Sequence, residues 1–194
     1  MADGSRDYFD RKLRIYGELV GMKFDLGNAV EVLTATPAAL KVMLGGLSDV
    51  WTASAGTEDD WQAFDVIGHL IHAEETDWIP RAKIILEHGI DGVFKPFDRF
   101  AQFERSKGKT FGELLDEFAE VRQASLSTLS SWNLTDEQLE QKGSHPELGD
   151  VTLGQLLATW VVHDLTHIRQ IATAMAKKYA VEVGPWKQYL SILS

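Results

Sequence analysis

The sequence contains no cysteine. That removes disulfides and thiolate metal sites at once, so any metal here must be held by His, Asp or Glu. It also fits a reducing compartment. An excess of positive charge is equally absent. Lys and Arg number 19 against 29 Asp and Glu, for a formal net charge of −10. The basic residues are scattered among acids, so the chain lacks the clustered cations that nucleic acid or an anionic membrane surface requires. No apolar run approaches the ~20 residues needed to span a bilayer. The polar start MADGSRDYFDRKLR has no apolar signal-peptide core. The expectation is a cytoplasmic protein with no nucleic-acid and no membrane partner.

What remains is the composition of an ordinary globular domain. The 194 residues are 44% hydrophobic and 25% charged, enough chain to bury a sizeable core. Helical spacing of apolar residues runs almost throughout. Residues Arg6 to Met22 read as a helix behind Ser5. Thr36 and Pro37 read as the cap and first residue of a second helix carrying Leu40, Met43, Leu44 and Leu47. The stretch SDVWTASAGTEDD reads as a loop closed by Asp60 as a cap. A long helix then runs from about Trp61 to His88, kinked or split at Pro80 and stopped by Gly89. From Ile90 to Lys109 turn residues and scattered aromatics suggest an irregular crossover joining parallel or distant helices. Capping patterns open the later helices at Thr110, at Thr135 with Gln138, and at Thr152 with Gln155. The tail VGPWKQYLSIL is apolar enough to dock on the body, and no hairpin or alternating strand is expected. The architecture predicted is all-α: a four-helix bundle with a long crossover between the second and third helices. Residues 1–27 would form an N-terminal helical extension and 28–194 the bundle domain.

The chemistry concentrates in WVVHDLTHIRQ, on the inner face of the last helix. His163 and His167 are four residues apart, so they stack one turn apart and point the same way. Two imidazoles so placed either share a divalent ion or serve as ordinary core histidines. A metal needs a third ligand. His88, near a helix end, and His145, before Pro146, read as surface residues. His69 and His72 lie in the long helix, and periodicity does not choose between them. Three imidazoles leave a further position open to water or substrate, with bound water brought toward a pKa of ~7. Asp164 and Gln170 are candidates to orient the imidazoles or a water. Glu74 is the acid placed to be buried nearest, with an interhelical salt bridge as its plainer role. HDLTH is not the HExxH of zincins, since Asp is shorter than the Glu that acts as base. An HD-type phosphohydrolase would need a later Asp, and none follows Asp164. A di-iron bundle would need two Glu-x-x-His pairs.

Taken in order, LTATPAALKVMLGGL, WQAFDVIGHLIHAEETDWIPR, GDVTLGQLLATWVVHDLTHIRQI and VGPWKQYL resemble the DinB-like superfamily with its YfiT-type metal-dependent members, from about Asn28 onward. The resemblance implies a four-helix bundle, commonly a homodimer, binding nickel or zinc through three histidines. By position these are His69, His163 and His167. It implies a metal-dependent enzyme of thiol S-transferase or hydrolase type. Such an enzyme would act on a small-molecule substrate, in the transferase case with a low-molecular-weight thiol cosubstrate such as bacillithiol, mycothiol or glutathione. The alternative is a non-catalytic metal-binding or stress-linked interaction protein.

Overall fold

A computed structural model describes residues 23–54 and 60–194. The helix expected over Arg6 to Met22 lies outside the described residues. Four long helical segments form the bundle: α1 (Leu26–Leu44), α3 (Ala63–Ala73) continued by α4 (Ile79–His88), α6 (Phe111–Ser131) and α8 (Leu153–Lys177). Short helices α2 (Asp49–Thr52), α5 (Ala101–Ser106) and α7 (Asp136–Leu139) sit in the connections. None of the helices described is long and apolar enough to cross a membrane.

Helix α1 packs on α6 and α8, and α3 packs on the same two helices. The first and second segments, and the third and fourth, therefore lie across the diagonals of the bundle, while the second and third are neighbours. One apolar cluster gathers Leu40 and Leu44 from the end of α1, Ile67 and Leu70 from α3, Leu114 and Phe118 from the start of α6, and Ile171 from late α8. The other gathers Leu33, Ile85, Leu129 and Leu157 from the opposite ends of the same helices. The α3–α4 and α6 segments therefore run parallel, so the link between them must return the length of the bundle. This gives the crossover expected from the sequence its physical reason. It is less irregular than expected, holding a 3₁₀ turn at Gly89–Asp91 and helix α5.

Three local readings change. Helix α1 starts ten residues before Thr36, where the Asp25 side chain accepts from the Asn28 N–H at 2.8 Å. Pro37 lies inside the helix rather than at its start. A proline there removes the N–H that would bond the Leu33 carbonyl. That carbonyl instead accepts from Arg122 Nη1 at 2.8 Å, so the interior proline leaves no orphaned acceptor. Asp60 is not the cap of the long helix. Gln62 occupies that position, and the Asp65 carboxylate accepts from its N–H at 3.0 Å.

A hairpin is present where none was expected: β1 (Lys142–His145) pairs antiparallel with β2 (Gly149–Thr152). Each strand has four residues, too few for alternation to register in the sequence. Its turn is closed by His145, whose Nδ1 accepts from the N–H groups of Glu147 and Leu148 at 3.1 and 3.2 Å. The crossover joins it edge-on, with the Phe94 N–H donating to the Ser144 carbonyl. The C-terminal tail forms 3₁₀ turns, the last of which, Ser191–Leu193, packs on α8. The tail thus docks through its last turn, as expected, while Trp186 and Tyr189 stay 70% and 77% exposed.

Candidate metal centre

The local sequence rules that build α8 also set its inner face. Thr152 and Gln155 close a reciprocal capping box, and Leu153, Leu156, Leu157, Trp160 and Ile171 are buried behind it. On the same face His167 is buried and His163 half-buried. Opposite them, α3 contributes His69, 6% exposed. His69 Nε2 lies 3.0 Å from His163 Nε2, and His167 Nε2 lies 3.1 Å from the same atom. These three side chains form the one group among the described residues whose donor atoms converge as metal ligands would. A tetrahedral ion bound at 2.0–2.1 Å would hold nitrogens about 3.3 Å apart, close to the spacing found. His72, the alternative that periodicity left open, packs against Phe97 instead.

The imidazoles are held neutral. Burial, then the neighbouring His167 and His163, pushes the His69 pKa down to about 2. Burial, then His167 and Arg122, brings His163 to about 3. Burial also lowers His167, against the opposing pull of Gln170 and Asp164. His167 Nδ1 lies 2.7 Å from Gln170 Oε1, an acceptor, so the ring donates through Nδ1 and its Nε2 lone pair faces the other two histidines. This is the tautomer a metal ligand needs. The Nδ1 atoms of His69 and His163 are buried with no partner among the described residues.

Aromatic rings wall the cluster. Trp61 lies 5.0 Å from His69, Phe97 meets the same ring edge-on at 5.4 Å, and Trp78 meets His163 at 5.0 Å. Trp78 reaches the site because the long helix widens into a π-helical turn at Glu74–Trp78 before Pro80 restarts it as α4. The extra residue turns Glu74, Asp77 and Trp78 all inward, where they are buried.

Glu74 and Asp164 do not touch the imidazoles. Both are bound by Arg122, which is 1% exposed. Its Nε donates to Glu74 Oε1 at 2.8 Å, and its Nη1 and Nη2 donate to the two Asp164 oxygens at 2.7 and 2.9 Å. Trp160 Nε1 also donates to Glu74 Oε1. Burial raises the Glu74 pKa against the opposing charge of Arg122. This ionic layer separates the two apolar clusters. It reaches the site indirectly, by tying the α8 turn that carries His163 and His167 to the π-helical turn and to α6.

The histidines open onto a cavity of about 500 Å³, lined also by Trp78, Arg81, Phe94, Arg99, Leu148 and Leu156. That is the size of a small-molecule site. His145, read from the sequence as a surface residue, lines it too. Because its Nδ1 accepts hydrogen bonds from the hairpin turn, neutral His145 carries its proton on Nε2. Arg122 left a signal in the sequence: it stands between Phe118 and Leu126 at four-residue steps, a cation on an apolar stripe. His145 and Arg99 come from the hairpin and the crossover, and no periodicity marks them.

The family model described as the DinB superfamily matches residues 31–171. Among solved structures, a protein described as "YfiT from Bacillus subtilis is a probable metal-dependent hydrolase with an unusual four-helix bundle topology" is similar at 23% identity. The TM-score is 0.68, and the match covers 81% of this chain and 91% of the other. No curated protein matches the sequence.

Proposed function

Because the chain belongs to the DinB superfamily, we propose that it is a metal-dependent enzyme acting on a small molecule. His69, His163 and His167 would hold a divalent ion, zinc or nickel. The observation that carries this reading is the convergence of three imidazole nitrogens at the wall of a cavity of about 500 Å³. Rings kept neutral by burial present lone pairs rather than protons at neutral pH, and the donor set suits both metals. When bound, the ion supplies a Lewis acid able to polarise a carbonyl or activate a nucleophile.

The remaining roles belong to the chain's own side chains. Gln170 fixes the tautomer and orientation of His167. Trp61, Trp78 and Phe97 keep bulk water from the imidazoles and lower the local dielectric. His145 offers a proton from Nε2 to a group bound in the cavity. Hydrolysis of an ester or amide is the first reaction class to test, in keeping with the description of the similar solved structure. Transfer of a low-molecular-weight thiol to an electrophile is the second class, on the same site.

Elemental analysis of protein purified without chelators tests the metal, beside His163→Ala and His167→Ala variants checked for helical content. Stoichiometric zinc or nickel in the wild type and its loss in both variants are expected. Turnover on panels of esters, amides and thiol–electrophile pairs should cease with chelator and return with metal. A wild-type protein that takes up no stoichiometric ion when offered zinc or nickel ends this reading.

A further inference from the structure

We propose that the cavity selects small molecules bearing a single carboxylate, and that Arg99 is the residue that binds it. This rests on the metal-site reading only for where the rest of the substrate points. Two guanidinium groups line the cavity, and they differ in what already holds them. Arg81 is buried, pairs with Asp77 at 3.0 Å, donates to the Lys95 carbonyl at 3.3 Å and lies over Phe94. Its charge is compensated in place. Arg99 is exposed and has no carboxylate partner among the described residues.

What holds Arg99 are the faces of Trp61, 5.6 Å away, and Phe100, 5.1 Å away. These cation–π contacts pair the guanidinium with no carboxylate, so its N–H donors are left to take one from a ligand by two parallel hydrogen bonds. Trp61 in turn packs on His69 at 5.0 Å, so the free cation stands two ring spacings from the triad. A molecule with its reacting group at the histidines and an anionic end turned to the Trp61 side of the cavity brings that end within reach of Arg99. One uncompensated cation, with Asp77 on the same wall, suits a monoanion better than a doubly charged phosphate ester. In a chain of formal charge −10, an anion needs such a local cation to enter.

The test uses the full chain, zinc-loaded and metal-free in parallel, titrated by calorimetry with 4-phenylbutyrate, 4-phenylbutyramide and 4-phenylbutyl phosphate. The acid should bind about tenfold more tightly than the isosteric amide in both forms, the worth of one charge-assisted contact. Arg99→Gln should erase that preference while zinc content and thermal midpoint stay unchanged, and Arg99→Lys should restore part of it. Equal binding of acid and amide to the wild type, survival of the preference in Arg99→Gln, no binding of either probe, or tighter binding of the phosphate would each overturn the proposal. An Arg99-dependent preference in a protein that takes up no zinc would support this inference while removing the metal reading. Zinc uptake with no carboxylate preference would do the reverse.

Discussion

At His167 the two ring nitrogens have different tasks. Nδ1 donates to Gln170 Oε1 at 2.7 Å, which leaves Nε2 as a lone pair 3.1 Å from His163 Nε2. Removing the acceptor frees the ring to rotate and to change tautomer. Gln170→Ala should therefore keep the metal stoichiometry but weaken affinity by about 10- to 100-fold, the usual effect of losing a partner that orients a ligand. Competition titration against a chromophoric chelator reads this directly, and an unchanged affinity would show that packing alone orients the ring. The pair His163 and His167 was legible in the sequence because four-residue spacing puts two side chains on one helix face whatever surrounds them. His69 was not separable from His72 by periodicity, and resemblance chose it. Arg99 and His145 left no trace, because hairpin and crossover residues reach the cavity by loop geometry.

At the scale of elements, capping chemistry was the most readable signal. Thr110, Thr135 and Thr152 all cap where the sequence places them, each through a reciprocal bond with the residue three positions on. Pro37 misled because an interior proline normally orphans a carbonyl, and the donor that rescues the Leu33 carbonyl, Arg122, is 89 residues away from it on α6. The same arginine holds Glu74 on the π-helical turn and Asp164 on α8, so one side chain ties all four bundle segments at mid-height. Arg122→Met should cost about 3–5 kcal/mol, because it strands two buried acids. Pro37→Ala supplies a new N–H to the Leu33 carbonyl. It should recover more stability in the Arg122→Met background than in the wild type, by on the order of 1 kcal/mol, since only there has that carbonyl lost its donor. Urea unfolding of the four proteins in this cycle measures the coupling, and equal gains in both backgrounds would show that the shared carbonyl does not link the residues.

For the whole molecule, the site makes stability depend on pH with a sign that can be worked out. Burial holds His69 and His163 near 2 and 3 in the folded chain, while the unfolded chain titrates them at 6.5. Above pH 6.5 both states are neutral at these rings and nothing is lost. Below it the unfolded state binds protons that the metal-free folded state refuses, so stability falls with acidification by about 1.4 kcal/mol per pH unit for each such histidine. Asp77 works the other way. Burial raises it from 3.8 to about 6, so the folded state binds its proton first and gains stability as pH drops between those values. Glu74, which burial also raises, works in the same direction as Asp77. Three lowered histidines against two raised acids leave the net slope toward acid instability. The urea midpoint of the metal-free protein should therefore decline steadily from pH 6.5 to 5. His69→Phe should flatten the decline by removing one of the refusing rings. Saturating zinc should shift its onset to lower pH, because an ion that requires neutral imidazoles stabilises only the folded state and must be displaced by protons before that state is lost. An acid profile identical with and without zinc would mean that the three imidazoles titrate without an ion between them.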